Sequence, residues 1–104
     1  MDNFKVIYKI LTTLESSMDY ERVDLERISC EALGVSEERR NRLLKMLDDA
    51  GYISGVSVRK YADGEVMLML NNLDITLKGL EYLAENSLMR KAYNAAKGIV
   101  DLIP

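Results

Sequence analysis

The residues best suited to chemistry form a basic run, Arg39-Arg40-Asn41-Arg42, with Lys45 one turn later. A second group follows at Arg59-Lys60-Tyr61. A guanidinium matches the acceptor edge of guanine, and a carboxamide matches adenine. If the first run lies on a helix, at about 100° per residue its outward side holds Glu38, Asn41, Arg42 and Lys45, with Glu37 beside them. Asn41 and Arg42 then suit base edges. Arg39 and Arg40 flank the inward side, where they suit phosphates or cover core edges with their stems. The alternative is a solvated helix on which Glu38 pairs with Arg42 four residues on. The second group suits a phosphate backbone or a minor groove. Equally, Asp63 and Glu65 lie close by, and charged hairpin tips often only solubilise a sheet edge.

Other chemistry has little support. The chain has no histidine, so it lacks the usual general base near neutral pH and the commonest metal ligand. Its one cysteine, Cys30, has no partner for a disulfide and no histidine to activate it. The pairs Glu37-Glu38 and Asp48-Asp49 are adjacent on a helix and point apart, unlike an acid/base couple. There is no glycine-rich phosphate loop and no nucleophile elbow. The expectation is a non-enzyme with no cofactor, no metal and no evident small-molecule ligand.

The element that must position the basic run is a capped helix over residues 36–50 running sharply into a strand. Ser36 suits the N-cap, and Glu37 and Glu38 suit the positive end of the helix dipole. Leu43, Met46, Leu47 and Ala50 recur at helical spacing and predict its buried face. Gly51 supplies a left-handed residue after the last turn, which places Tyr52 over Leu47. Before it, Asp2 or Asn3 caps a first helix with Phe4, Ile7, Leu11 and Leu14 as its apolar stripe and Tyr8 and Ile10 at the edges. Asp24 caps a shorter second helix with Leu25, Ile28 and Ala32 inward, closed by Gly34. A two-residue link from there to the central helix forces a steep crossing, as in a helix-turn-helix. The commonest DNA-reading pattern runs Leu-x-x-Leu-Ala-x-x-Leu-Gly. Here three residues separate Ser29 from Leu33-Gly34, so one residue is extra and shifts the helix phase.

After Gly51 the period becomes alternating. Ile53, Val56 and Val58 are apolar, and Gly55 suits a bulge that resets the alternation. Ala62-Asp63-Gly64 is a turn signal. The return strand, residues 65–70, has Val66, Leu68 and Leu70 on one face and Met67 and Met69 on the other, which predicts cover on both sides by the helices and the C-terminal segment. Thr76 caps a further helix, with Ile75 and Leu80 as a hydrophobic staple and Leu80, Leu83 and Ala84 inward. Asn86-Ser87 interrupts it. Leu88, Ala92, Ala95, Ala96, Ile99 and Ile103 form the stripe of a last helix, suited to core completion or a homodimer.

This order predicts an α+β fold: a winged helix-turn-helix of three helices and a two-stranded wing, with appended C-terminal helices. The 104 residues make one domain, with 76–103 as its helical extension. With 48% hydrophobic and 30% charged residues, a globular chain is expected rather than a disordered one. No apolar run approaches the roughly 18 residues of a membrane span. The first 15 residues carry Asp2, Lys5 and Lys9 without a cleavage motif, so a cytoplasmic location and no membrane partner are expected. The net charge is −3, which opposes simple adhesion to nucleic acid. Its distribution is uneven: −3 over residues 1–31, +2 over 32–60 and −2 over 61–104.

Three segments carry a family resemblance. They are Glu31-Ala-Leu-Gly-Val-Ser36, Leu47-Asp-Asp-Ala-Gly-Tyr-Ile-Ser-Gly-Val56 and Ile75-Thr-Leu-Lys-Gly-Leu-Glu-Tyr-Leu-Ala-Glu-Asn-Ser87. With them the chain resembles the YjcQ-like family of small winged-helix proteins from Gram-positive bacteria and their phages. The resemblance implies a winged-helix fold with C-terminal helices and a phage or prophage origin. It carries over no catalytic or ligand-binding residues. The functional expectation is therefore a phage-type DNA-binding regulator, dimeric through the last helix, with double-stranded DNA as partner. The alternative is a protein-interaction module on the same fold, motivated by the acidic total, the Met67 and Met69 face and the alanine-rich stripe.

Overall fold

A computed structural model describes residues 2–86 and Lys91. Helix α1 spans Asn3–Ser16, with the Asp2 carboxylate accepting from the Phe4 amide at 2.8 Å. A single 3₁₀ turn, Ser17–Asp19, follows. The expected second helix is broken in two. A 3₁₀ turn at Leu25–Ile28, capped by Asp24, stops at Ser29, whose hydroxyl caps a new short helix, α2, over Cys30–Leu33. This break absorbs the extra residue noted in the sequence. Ending one helix and restarting the next lets Ile28 and Leu33 both reach the core, while Leu25 and Ala32 face outward.

Helix α3 covers Glu37–Asp49, capped by Ser36, whose hydroxyl oxygen accepts from the Arg39 amide at 3.1 Å. Strands β1 (Ile53–Lys60) and β2 (Val66–Ile75) pair antiparallel, and α4 (Leu77–Glu85) follows. The architecture is α+β, helices packed with a two-stranded antiparallel sheet. The expected last helix over residues 88–103 lies outside the described residues.

The core gathers side chains from all the helices and both strands: Val6, Ile10, Leu11 and Leu14 of α1, Ile28, Leu33, then Leu43, Leu44 and Leu47 of α3. Ile53, Leu73, Ile75 and Leu83 close it. Two expected faces are rotated. In α1 the inward side centres on Val6 and Ile10, and Phe4 is exposed. In α3 Leu44 is buried, whereas Met46 is 61% exposed and Ala50 is also outward. Apolar spacing alone admits either rotation, and the neighbouring elements decide between them.

The bulge falls at Gly55. Ser54 pairs with Asp74 and Val56 with Leu70, so one residue of β1 faces three of β2. Gly55 has φ +98°, and a Cβ there would lie 2.5 Å from the Asn71 carbonyl oxygen and 2.8 Å from that of Asn72. Past the bulge the ladder runs to Lys60 opposite Val66. The turn closes with the Tyr61 amide donating to the Glu65 carbonyl at 2.8 Å. β2 is longer than expected, and its far end is not covered on both sides: Val66 and Met67 are exposed. Leu68, Met69 and Leu70 are half-buried.

Gly55→Ala is expected to destabilise the fold by about 2–4 kcal/mol, combining a left-handed backbone with overpacking. A urea melt checks this; an unchanged midpoint contradicts the bulge geometry.

Candidate nucleic-acid interface

The basic run begins within the first turn of α3, and its members divide by what they touch. Arg40 is half-buried. Its Nε donates to the Ile28 carbonyl at 3.1 Å, and its guanidinium donates to the Asn41 Oδ1 at 2.9 Å. Arg40 therefore ties α3 to the break before α2 and fixes which way the Asn41 amide points. Arg39 donates to the Asn3 Oδ1 at 2.8 Å, holding the start of α1 against α3. Lys45 is engaged by Asp49, with Nζ 2.6 Å from Oδ1 and 2.8 Å from Oδ2. Arg42 is exposed and has no carboxylate within ion-pair distance among the described residues. The alternative Glu38–Arg42 pair is not formed; an i,i+4 pair two turns further along the helix, Lys45–Asp49, is.

Asn41 is half-buried beside Arg40, so its Oδ1 is partly committed within the protein. An open cleft of about 470 Å³ lies between the start of α1 and α3, lined by Asn3, Arg39, Arg42, Leu43 and Met46 among others. At the hairpin, Arg59 lies opposite Met67 and Lys60 opposite Val66. Neither cation faces an acid across the ladder. Both are exposed and without an ion pair among the described residues. The Tyr61 hydroxyl points back along the hairpin toward the Met67 sulfur at 3.8 Å. The Asp63 carboxylate is folded onto the Glu65 amide at 2.9 Å.

What sets the hairpin against α3 is a joint at the end of the helix. Gly51 adopts φ +86°, and the Tyr52 amide donates to the Leu47 carbonyl at 2.9 Å while the Gly51 amide donates to Asp48 at 3.0 Å. This is the expected left-handed stop. The next carbonyls have no helical donor, and α4 supplies them. The Thr76 hydroxyl donates to the Gly51 carbonyl at 2.5 Å and accepts from the Gly79 amide at 3.2 Å. The Lys78 ammonium donates to the Ala50 carbonyl at 2.9 Å and sits 4.9 Å from the centre of the Tyr52 ring. Gly79 carries no Cβ because the Tyr52 carbonyl oxygen and the Ile75 side chain occupy that space. Tyr52 also meets Tyr82 edge-on, with centroids 5.5 Å apart. Burial, then Tyr52 and Asp2, push the Tyr82 hydroxyl above its usual range.

A family model described as YjcQ protein matches residues 8–102. A relative from Bacillus subtilis (strain 168), described as uncharacterized protein YjcQ, is 37% identical over 71 residues, 68% of this chain and 72% of the relative. The chain belongs to the YjcQ family. No solved structure matches it. Two of the segments that carry the YjcQ resemblance, 47–56 and the first residues of 75–87, are those that meet at the α3 joint. Their glycines, Thr76 and Lys78 hold backbone to backbone.

Cys30 is half-buried, and partial burial and the neighbouring Glu31 carboxylate raise its thiol above the usual 9.0. That environment disfavours a thiolate nucleophile. The described residues contain no group of three or more candidate metal ligands, and no helix long and apolar enough to cross a membrane.

The division of the arginines is testable by stability. Arg40→Ala is expected to cost about 1–2 kcal/mol, because the Ile28 carbonyl loses its donor. Arg42→Ala should stay within about 0.5 kcal/mol of wild type, as an exposed residue without a partner does. Equal losses in paired urea melts would contradict the assignment.

Proposed function

We propose that this YjcQ-family chain is a winged helix that binds double-stranded DNA, with α3 entering the major groove and the β1–β2 hairpin serving as the wing. In this reading it acts as a phage-type regulator in the cytoplasm. The observation that carries the proposal is the outward side of α3, on which Arg42 stands exposed and, among the described residues, without an ion pair, as do Arg59 and Lys60 on the hairpin. Arg42 is the base-reading candidate. Arg59 and Lys60 suit phosphates, and Arg39 retains donors beyond the one given to Asn3. Arg40 serves α3 itself, and Asn41 is a secondary reader with one acceptor already engaged. Among the described residues of one copy, few cations on α3 and the hairpin are free. A homodimer through the residues after 87 would double them and bring two copies of α3 to one duplex.

A second reading keeps the fold and replaces DNA with a protein partner. Two observations favour it: Asp49 neutralises Lys45 on the outward side of α3, and Val66 and Met67 are exposed at the hairpin end. Exposed apolar side chains beside charged ones are common in protein interfaces.

Selection from a random duplex pool at low salt decides between the two. The DNA reading predicts an enriched sequence, for which Arg42→Ala binds about 1–3 kcal/mol more weakly. It also predicts that affinity falls steeply as salt rises. No retention of any duplex at low salt overturns it.

A further inference from the structure

Asp48 occupies a place that a DNA-binding surface should avoid. It lies on the side of α3 that faces the hairpin, one turn beyond Lys45, where a free carboxylate would repel phosphate. Its carboxylate is not free. Asp48 Oδ2 accepts the backbone N–H of Val56 at 2.8 Å. That amide belongs to the first ladder position beyond the Gly55 bulge, where the pairing shifts from Ser54–Asp74 to Val56–Leu70. A bulge interrupts the ladder locally, and here a side chain from the neighbouring helix takes up the amide beside the interruption. The strand is thereby pinned to α3 at its bend.

Gly51 and Gly55, both at positive φ, stand on either side of Tyr52, Ile53 and Ser54. Thr76 and Lys78 hold the near side of this segment to the end of α3. Beyond the bulge, the Asp48–Val56 bond is a direct polar link between α3 and the hairpin. The hairpin extends from Val56 to Lys60 over about 14 Å at about 3.4 Å per residue, so a tilt of about 10° at the bulge moves the cations by about 2 Å.

We infer that Asp48 is a positioning residue for the wing: its carboxylate fixes the inclination of the β1–β2 hairpin to α3, and so the placement of Arg59 and Lys60 relative to Arg42. This rests on the DNA reading for its functional consequence, but the tie itself is a statement about geometry. Asparagine in place of Asp48 retains an oxygen acceptor for the Val56 amide and removes the charge; alanine removes both.

The test compares Asp48→Asn and Asp48→Ala in the full chain. Residual dipolar couplings report the angle between α3 and the hairpin, hydrogen exchange reports the Val56 amide, and a short mixed-sequence duplex at low salt reports affinity. The expected result is a changed or averaged angle and faster Val56 exchange in Asp48→Ala, with duplex affinity about tenfold weaker, the scale of one charge-assisted hydrogen bond. Asp48→Asn should keep the angle and bind within about twofold of wild type. If both variants keep the wild-type angle and bind the duplex equally or more tightly, the carboxylate acts only as a charge and the inference is overturned. If Asp48→Asn loses the angle as alanine does, the amide tie is likewise refuted. Should wild type bind no duplex, the DNA reading fails alone, and the couplings and exchange still decide the role of Asp48. Unfolding of Asp48→Ala would leave Asp48→Asn to decide on the same readouts.

Discussion

The end of α3 is the constraint on which the rest of the structure depends. A helix leaves its last carbonyls without donors, and this one stops against the core. Gly51 reverses the backbone so that Tyr52 and Gly51 amides satisfy Leu47 and Asp48. Thr76 and Lys78 then satisfy Gly51 and Ala50 from a distance of more than twenty residues along the chain. The closure leaves no room for a side chain on Gly79. One joint thus sets the exit of α3, the start of β1, the end of β2 and the first turn of α4. The hairpin is not an appendage that happens to lie near the helix; both of its ends are bonded to it.

Much of this was legible locally. Ser36, Asp24 and Thr76 are short polar side chains just before apolar periodicity, and a cap needs only its own next three residues; the first cap stands between Asp2 and Asn3 in the sequence, and the structure gives it to Asp2. Gly51 and Gly55 were legible because left-handed backbone strongly favours glycine. The hairpin turn followed from Ala62-Asp63-Gly64. What spacing could not supply was partners distant in sequence. Phe4 and Val6 are both apolar and near the start of α1; Val6 is the one turned inward, in a helix that packs against α4 and β2, both distant in sequence. Met46 and Leu44 were exchanged for the same reason. The second helix read as continuous because nothing local marks Ser29 as a break more strongly than as a mid-helix serine, although the extra residue before Leu33 was a visible irregularity.

The site was legible in part, and in a way that sorts by physics. A run of four polar residues with three arginines looks uniform in sequence. In the structure it separates into a strut, a clasp to α1 and a cation without an ion pair among the described residues, because successive residues on a helix point about 100° apart. Arg40 reads in the sequence as a phosphate contact or an edge cover, and in the structure it holds the Ile28 carbonyl and the Asn41 amide. Asp48 reads in the sequence only as half of an adjacent pair that points apart; its bond to Val56, eight residues on, depends on the Gly55 bulge and cannot be inferred from the pair. Lys78 carried no functional expectation at all, yet its contacts to Ala50 and Tyr52 make it part of the joint.

The central claim is that the outward side of α3 and the hairpin cations together meet duplex DNA. Chemical-shift mapping on nitrogen-labelled protein, titrated with a short duplex at low salt, tests it most directly. The account predicts shifts in the Arg42 side chain and in the amides of residues 38–45 and 59–61, with the amides of α1 beyond its first turn unmoved. Shifts confined to α4 or to the segment before α2, or none at any duplex concentration, would contradict it.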